Sequence, residues 1–452
     1  MLWKLLSAFF LAATPLAAAA DEPPLRFHLE AGQELSFLGM SEFRHEGGSR
    51  HITDRLTLWV TARNPDGSWH IIGHSETRIE NSSTEKTPEP PPPDDAELFD
   101  TFDILPDGHI ARPPADPRAA VALTGYFFQL PRDAAALRSG WKVANENLGE
   151  TLTYTAQPPG DDGSGCWIID RASSGPFNDL TDSKSHARLQ FDATRGLLTR
   201  AEAEFTQGRN PRGWGSTVAE LKSVTQRDAD WIARFAREAE IFLKANAALR
   251  AACTAASPSA IESAAHALRE QRELVTSPLI HAEFDRALAE YPDRARHSAD
   301  IVRRRAEFID KPAPQWEATD LNGLNYKLSE FRGKVVILAF WSRGNPWSIA
   351  ALPRLKEVAA RTRRAPVAIL GMHTDPDEND ARFVEKKLIF NFPTLGAASI
   401  AENYPSPAVV IIDQSGIIRA VRTSSGPRLR DDIVASIEAL LAPPPIARGP
   451  KH

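Results

Sequence analysis

Asn345 and Ser348 stand three residues apart where a short loop enters a helix, just after the apolar run Val335–Trp341. Of the two, only Ser348 has an atom able to attack a substrate. A serine hydroxyl becomes a nucleophile when a positioned base takes its proton, and the surrounding sequence has no histidine or carboxylate beside it. Asn345 has no nucleophile to activate. Followed by Pro346, it reads as an N-cap with proline at the first helical position. Thiol chemistry rests on two cysteines, Cys166 and Cys253. They fall in segments of different character, so each reads as a free, buried thiol rather than half of a disulfide.

The histidines offer little more. His70 and His74 share one face of a strand, but four residues of strand span roughly 13 Å, too far to grip one ion. His45 and His51 flank residues 46–50 and could face each other across a hairpin. Two imidazoles without a third ligand make a weak metal site, and solvated hairpin positions are expected. Asp161-Asp162-Gly163 and the pair Asp179 and Asp182 read as turns, because the spacing of a calcium loop is missing. His373-Thr374-Asp375 follows a buried strand, where active-site residues often sit. With no nucleophile near it in sequence, His373 is expected at an exposed strand end. No metal or cofactor site is expected.

The elements that position these residues follow from the apolar pattern. Seven consecutive apolar residues rich in β-branched and aromatic types, Val335 to Trp341, suit a strand covered on both faces. The next helix continues through Ile349, Leu352 and Leu355, and Pro353 removes one of its backbone bonds and bends it. Val367–Met372 is a second buried strand and Ala381–Leu388 a helix. Val409–Ile412 is a third strand, turned by Asp413-Gln414-Ser415-Gly416 into Ile417–Val421. Arg430–Leu441 is the closing helix.

Taken with its upstream flank, APQWEATDLNGLNYKLSEFRGKVV, this region resembles the TlpA-type branch of the thioredoxin superfamily, which borders the AhpC/TSA peroxiredoxins. The resemblance runs from Pro312 to Leu441. It rests on Pro314, Trp316, Asp320 and Gly323, on the segment Leu328–Lys334, on Phe340-Trp341, on Pro353, and on Tyr404–Asp413. The family pattern at the helix start is W-C-x-x-C. Here Asn345 takes the first cysteine position and Ser348 the second, and the peroxiredoxin cysteine position falls on or beside Asn345. The resemblance therefore implies a thioredoxin-like α/β fold without its dithiol. A cysteine at a helix N-terminus is used for its depressed pKa, and that sulfur is missing. The resemblance also places the family's cis-proline at Pro407, in a loop whose backbone pairs with an extended peptide in active members. A surviving peptide site would draw on Arg343, Asn345, Trp347, Ser348, Ser406 and Pro407, with Trp341 nearby. The helix N-terminus is alternatively an anion site, and capping alone is the plainest role for Asn345.

The chain has 452 residues, more than one ordinary core holds. Residues 1–20 read as a signal peptide: Lys4, an apolar run from Leu5 to Leu16, and Ala18-Ala19-Ala20 before Asp21. Residues 21–227 read as an antiparallel β domain forming a curved sheet or half-barrel. Its candidate strands are Glu34–Phe43, Leu56–Ala62, Trp69–Ile79, Glu150–Ala156, Cys166–Arg171, His186–Asp192, Leu197–Gln207 and Val218–Gln226. The polyproline-type loop Pro88–Asp95 interrupts them, and Gly125–Leu137 reads as a strand followed by a helical turn. Residues 228–311 show helical spacing in Trp231, Phe235, Phe242 and Leu249. Further helices open at Ser257-Pro258, Ser277-Pro278 and Asp293, and Arg303–Arg305 reads as a solvated helix face. Residues 312–442 are the thioredoxin-like domain and 443–452 a loose tail.

A net charge of −6 gives no footprint for nucleic acid. No apolar run after the signal segment is long enough to span a bilayer, so an exported, periplasmic or extracellular protein is expected. Three functions fit. The first is a non-catalytic thioredoxin-fold protein that binds a protein or peptide of the bacterial envelope. The second is a thiol–disulfide oxidoreductase or peroxidase using Cys166 or Cys253. The third is a ligand carrier working through the β domain.

Overall fold

Strand alternation in the first half sorts side chains onto two faces of one sheet. Leu56, Leu58 and Val60 enter one hydrophobic core, whereas Trp59 between them enters another. Ile71 and Ile72 divide in the same way, as do Phe102 and Phe99. A computed structural model describes residues 25–442, except 46–47, 84–94, 117–118, 120–121, 124, 146–149, 161–164, 176–177, 179–181, 208–212, 344, 405–408 and 423–428. The signal segment, most of the polyproline loop, Asp161–Gly163, Asp179, Ser406, Pro407 and the tail lie outside the described residues, as does the side chain of Trp347.

The sheet has eleven antiparallel strands: β1 (Gln33–His45), β2 (Gly48–Arg63), β3 (Trp69–Ser83), β4 (Asp95–Ile104), β5 (Ile110–Arg112), β6 (Trp141–Asn145), β7 (Glu150–Gln157), β8 (Cys166–Ser174), β9 (Ser183–Asp192), β10 (Leu197–Gln207) and β11 (Gly213–Gln226). Their order is β5-β4-β3-β2-β1-β11-β10-β9-β8-β7-β6. Successive hairpins run outward in both directions from the central pairing of β1 with β11. One such hairpin turns at Asn64–Gly67, where Gly67 takes φ +86° and its N–H donates to the Asn64 carbonyl at 3.0 Å.

Three strands, β4 to β6, have no counterpart in the sequence reading, while the strand expected in 125–137 is not there. Tyr126, Phe128 and Leu130 lie in the first core, Phe128 against Phe27 and Tyr126 against Phe37, instead of pairing at an edge. Only the helical turn is present, as α1 (Ala134–Ser139), capped by Asp133. The proposed histidine facing fails on register: His45 pairs opposite Gly48, and His51 opposite Glu42.

Three helices follow: α2 (Ala229–Thr254), α3 (Pro258–Arg272) and α4 (Pro278–Ala306). The Asp228 carboxylate caps α2 by accepting from the Trp231 N–H at 2.7 Å. No fourth helix opens at Asp293, because Pro292 sits inside α4, which continues through it. The proline costs one backbone bond, and the packed stripe of Ile280, Phe284 and Ala287 before it holds the helix to its neighbours. Phe235 and Phe242 of α2 pack on Trp59 and Phe99 of the sheet. The helices thus cover the second face of β2, β3 and β4.

The C-terminal domain has the hairpin β12 (Glu317–Thr319) and β13 (Asn325–Lys327), then β14 (Val335–Trp341), α5 (Pro346–Thr362), β15 (Val367–His373), α6 (Glu378–Leu388), β16 (Thr394–Gly396), α7 (Ala398–Ala401), β17 (Val409–Ile412), β18 (Ile418–Arg422) and α8 (Leu429–Leu441). Its sheet runs β16-β15-β14-β17-β18, with β14, β15 and β16 parallel and β17 and β18 antiparallel. All seven residues of β14 are buried. Val335, Ile337, Ala339 and Trp341 face the layer of α5, α6 and α8, and Val336, Leu338 and Phe340 face Trp316, Leu328 and Tyr404. This two-sided cover explains the unbroken apolar run.

Candidate functional site

β14 ends at Trp341, and residues 342–345 lead into α5. Asn345 caps the helix: its Oδ1 accepts from the Ser348 N–H at 3.1 Å. The Ser348 side chain turns inward as well. Its Oγ lies 2.8 Å from the Asn345 carbonyl and 3.0 Å from the Ser342 carbonyl, and it accepts from the Ser342 N–H at 3.2 Å. Among the described residues every hydrogen-bond partner of that hydroxyl is backbone, so none of them is a base set to take its proton. The two positions that carry sulfur in a W-C-x-x-C helix here hold the loop and the first turn together.

Arg343 is only 7 % exposed. Its guanidinium donates to Asp380 Oδ1 at 2.6 Å and lies over the Phe383 ring at 4.2 Å, both on α6. Its backbone N–H donates to Asp375 Oδ2 at 2.8 Å. The same carboxylate oxygen stands 3.4 Å from His373 Nε2. His373 is therefore not the exposed strand end expected from sequence. It is 2 % exposed, with its ring 4.6 Å from that of Trp341. Burial pushes its imidazole below the usual pKa, opposed by the Asp375 carboxylate. Trp341 is fully buried too, so it does not line an open groove. The structure brings Arg343, Asn345 and Ser348 together at the start of α5. Ser406 and Pro407 are outside the described residues, and no side-chain contact is assigned to Trp347.

Neither cysteine reaches this domain. Cys166 opens β8 and Cys253 lies near the end of α2; both are buried and neither is in a disulfide. Burial raises the Cys253 pKa, the opposite of what a reactive thiol requires.

His74, which the sequence reading left without a role, is buried between the sheet and α4. Its Nε2 lies 3.5 Å from Glu283 Oε1, and Glu97 completes a group of three ligand-type side chains. Glu283 is far from His74 in sequence, and no spacing rule could have paired them.

Residues 309–421 match the sequence model of the AhpC/TSA family. The chain is similar to a thiol-disulfide oxidoreductase ResA of Geobacillus kaustophilus (strain HTA426), 26% identical over 149 residues, which are 31% of this chain and 82% of the relative. A ResA of Bacillus thuringiensis subsp. konkukian (strain 97-27) is 27% identical over 113 residues, 24% of this chain and 65% of the relative. Among solved structures, a secreted Mycobacterium tuberculosis disulfide oxidoreductase homologous to E. coli DsbE is 27% identical and superposes with TM-score 0.26, covering 28% of this chain and 96% of that one. A putative thiol:disulfide interchange protein DsbE from Chlorobium tepidum is 19% identical with TM-score 0.28, covering 30% of this chain and 98% of that one. The stretch 309–421 is a redoxin domain of the AhpC/TSA family with a thioredoxin-like fold, and neither of the chain's two cysteines lies in it.

Proposed function

We propose that this is an exported protein whose redoxin domain binds a protein or peptide partner of the bacterial envelope without exchanging disulfides, the β domain supplying a second contact. One observation carries the reading. At the two positions of the family's W-C-x-x-C pattern this chain has an asparagine whose Oδ1 caps the helix and a serine whose hydroxyl bonds to its own loop and first turn. The cores on both sides of β14 are nevertheless complete, so the domain keeps its shape while lacking the reacting atoms. The signal-like segment 1–20 supports export. The peptide would lie along the start of α5 and residues 405–408, by analogy with the pairing seen in active thioredoxin-fold proteins. The oxidoreductase alternative requires Cys166 or Cys253 to act from a buried position in another part of the chain. A carrier of apolar ligands fits less well, because the cavity between sheet and helices sets the charged Asp116, Arg250, Glu283 and Arg286 beside the apolar Leu98, Phe99 and Phe242.

The test is a photoreactive side chain placed at position 347 in the expressed protein, with a second placed at exposed Arg422 on the edge strand as control. A discrete adduct formed from 347 and absent from 422 is the expected result. No adduct from 347, or the same adducts from both positions, would remove the peptide site.

A further inference from the structure

We propose that His74, Glu97 and Glu283 form a binding site for a first-row divalent transition cation of the Zn²⁺ class, joining β3, β4 and α4. One nitrogen or oxygen from each residue lies within 4.8 Å of the others. His74 is 5 % exposed and Glu283 is 1 % exposed. Buried imidazole nitrogens normally find a partner, yet His74 Nε2 has no hydrogen bond. It points instead toward Glu283 Oε1 at 3.5 Å. Two ligands bound to tetrahedral Zn²⁺ at normal bond lengths stand about 3.4 Å apart, so this pair already has the spacing of a shared ion. The third ligand, Glu97, is on the exposed side and has the side-chain freedom to close.

The surroundings fit a metal on three further points. Glu76 Oε1 is 3.8 Å from His74 Nδ1, on the side of the ring where metal-binding histidines commonly carry a carboxylate that orients them. Arg286 pairs with Glu283, and its Nε stands 2.9 Å from Glu97 Oε2. It can neutralise one of the two carboxylate charges, which leaves the group with an excess negative charge when the imidazole is neutral. Finally, Glu97 and Glu283 open onto a cavity of about 260 Å³, which gives an ion a way in and room for water as a further ligand. The imidazole selects against Ca²⁺ and Mg²⁺, which take oxygen ligands. An ion held here would clip the helical segment to the sheet, because two ligands come from strands and one from α4.

The test is calorimetric titration of the purified, chelator-treated full chain with Zn²⁺, and separately with Ca²⁺. One Zn²⁺ per chain with a raised melting temperature is expected, and no saturable uptake of Ca²⁺. Glu97→Gln alters an exposed side chain and should leave the far-ultraviolet circular dichroism unchanged while weakening Zn²⁺ binding ~10-fold or more, at least the loss caused by removing an outer-shell partner. His74→Ala should abolish binding. Absence of saturable Zn²⁺ binding by the wild-type chain would overturn the site. Unchanged affinity in folded Glu97→Gln would do the same, as would Ca²⁺ uptake equal to that of Zn²⁺.

Discussion

Replacing Asn345 by alanine removes the side-chain acceptor of the Ser348 N–H and leaves that donor only the Asn345 backbone carbonyl at 3.1 Å. Such a cap contributes about 1 kcal/mol, and chemical unfolding followed by circular dichroism should show a loss of that size. Loss of no more than a few tenths would mean that Asn345 does not hold the turn. Putting sulfur back is the complementary change. Asn345→Cys with Ser348→Cys places two thiols on the first turn, and the more exposed one should titrate below the ordinary cysteine value of about 8.5. Two thiols at that value, read by thiolate absorbance against pH, would show that these positions are not the family's dithiol positions. His373 gives a pH signature. Its folded pKa is depressed by burial, so the unfolded chain binds the proton more readily. The stability it contributes is full above the unfolded value of about 6.5 and is lost as pH falls below it. Denaturation midpoints measured across that window should fall toward acid, and less steeply in His373→Gln.

At the scale of elements, the sequence was most legible where burial is two-sided. Val335–Trp341 announced a strand because each face of it meets a separate core. The start of α5 was legible because Asn345-Pro346 satisfies a local rule that needs no tertiary knowledge. Pro292 misled for the converse reason: a proline followed by Asp293 looks like a helix start, but packing of the preceding turns carries α4 through it. β4 was missed because its acidic residues obscure the alternation of Phe99 and Phe102, which face different cores. The burial of His373 and of His74 was invisible because the groups that enclose them come from distant stretches of chain. The joint between sheet and helices rests on aromatic contacts. Phe242→Ala, which removes a ring packed on both Phe99 and Phe284, should cost roughly 3–5 kcal/mol. A cost below 1 kcal/mol in chemical unfolding would show that the helices are not held to the sheet by this core.

At the scale of the whole molecule, a redoxin domain without cysteine is joined to a large β sheet that carries one buried thiol and a helical segment that carries the other. The first residues of the redoxin domain, just after α4, pair with the approach to β18 through an isolated bridge of Pro312 with Ile417. The Asp310 N–H donates to the Ile418 carbonyl at 2.8 Å, and the Ala313 N–H to the Gly416 carbonyl at 2.9 Å. The chain after α4 is thereby fixed along β18. No helix among the described residues is long and apolar enough to cross a membrane. The most direct measurement is insulin reduction by the purified protein with dithiothreitol as the electron source. A rate equal to buffer is expected for the wild-type chain. A rate above buffer that disappears in Cys166→Ser or Cys253→Ser would contradict the redox-silent reading and return the protein to the oxidoreductases.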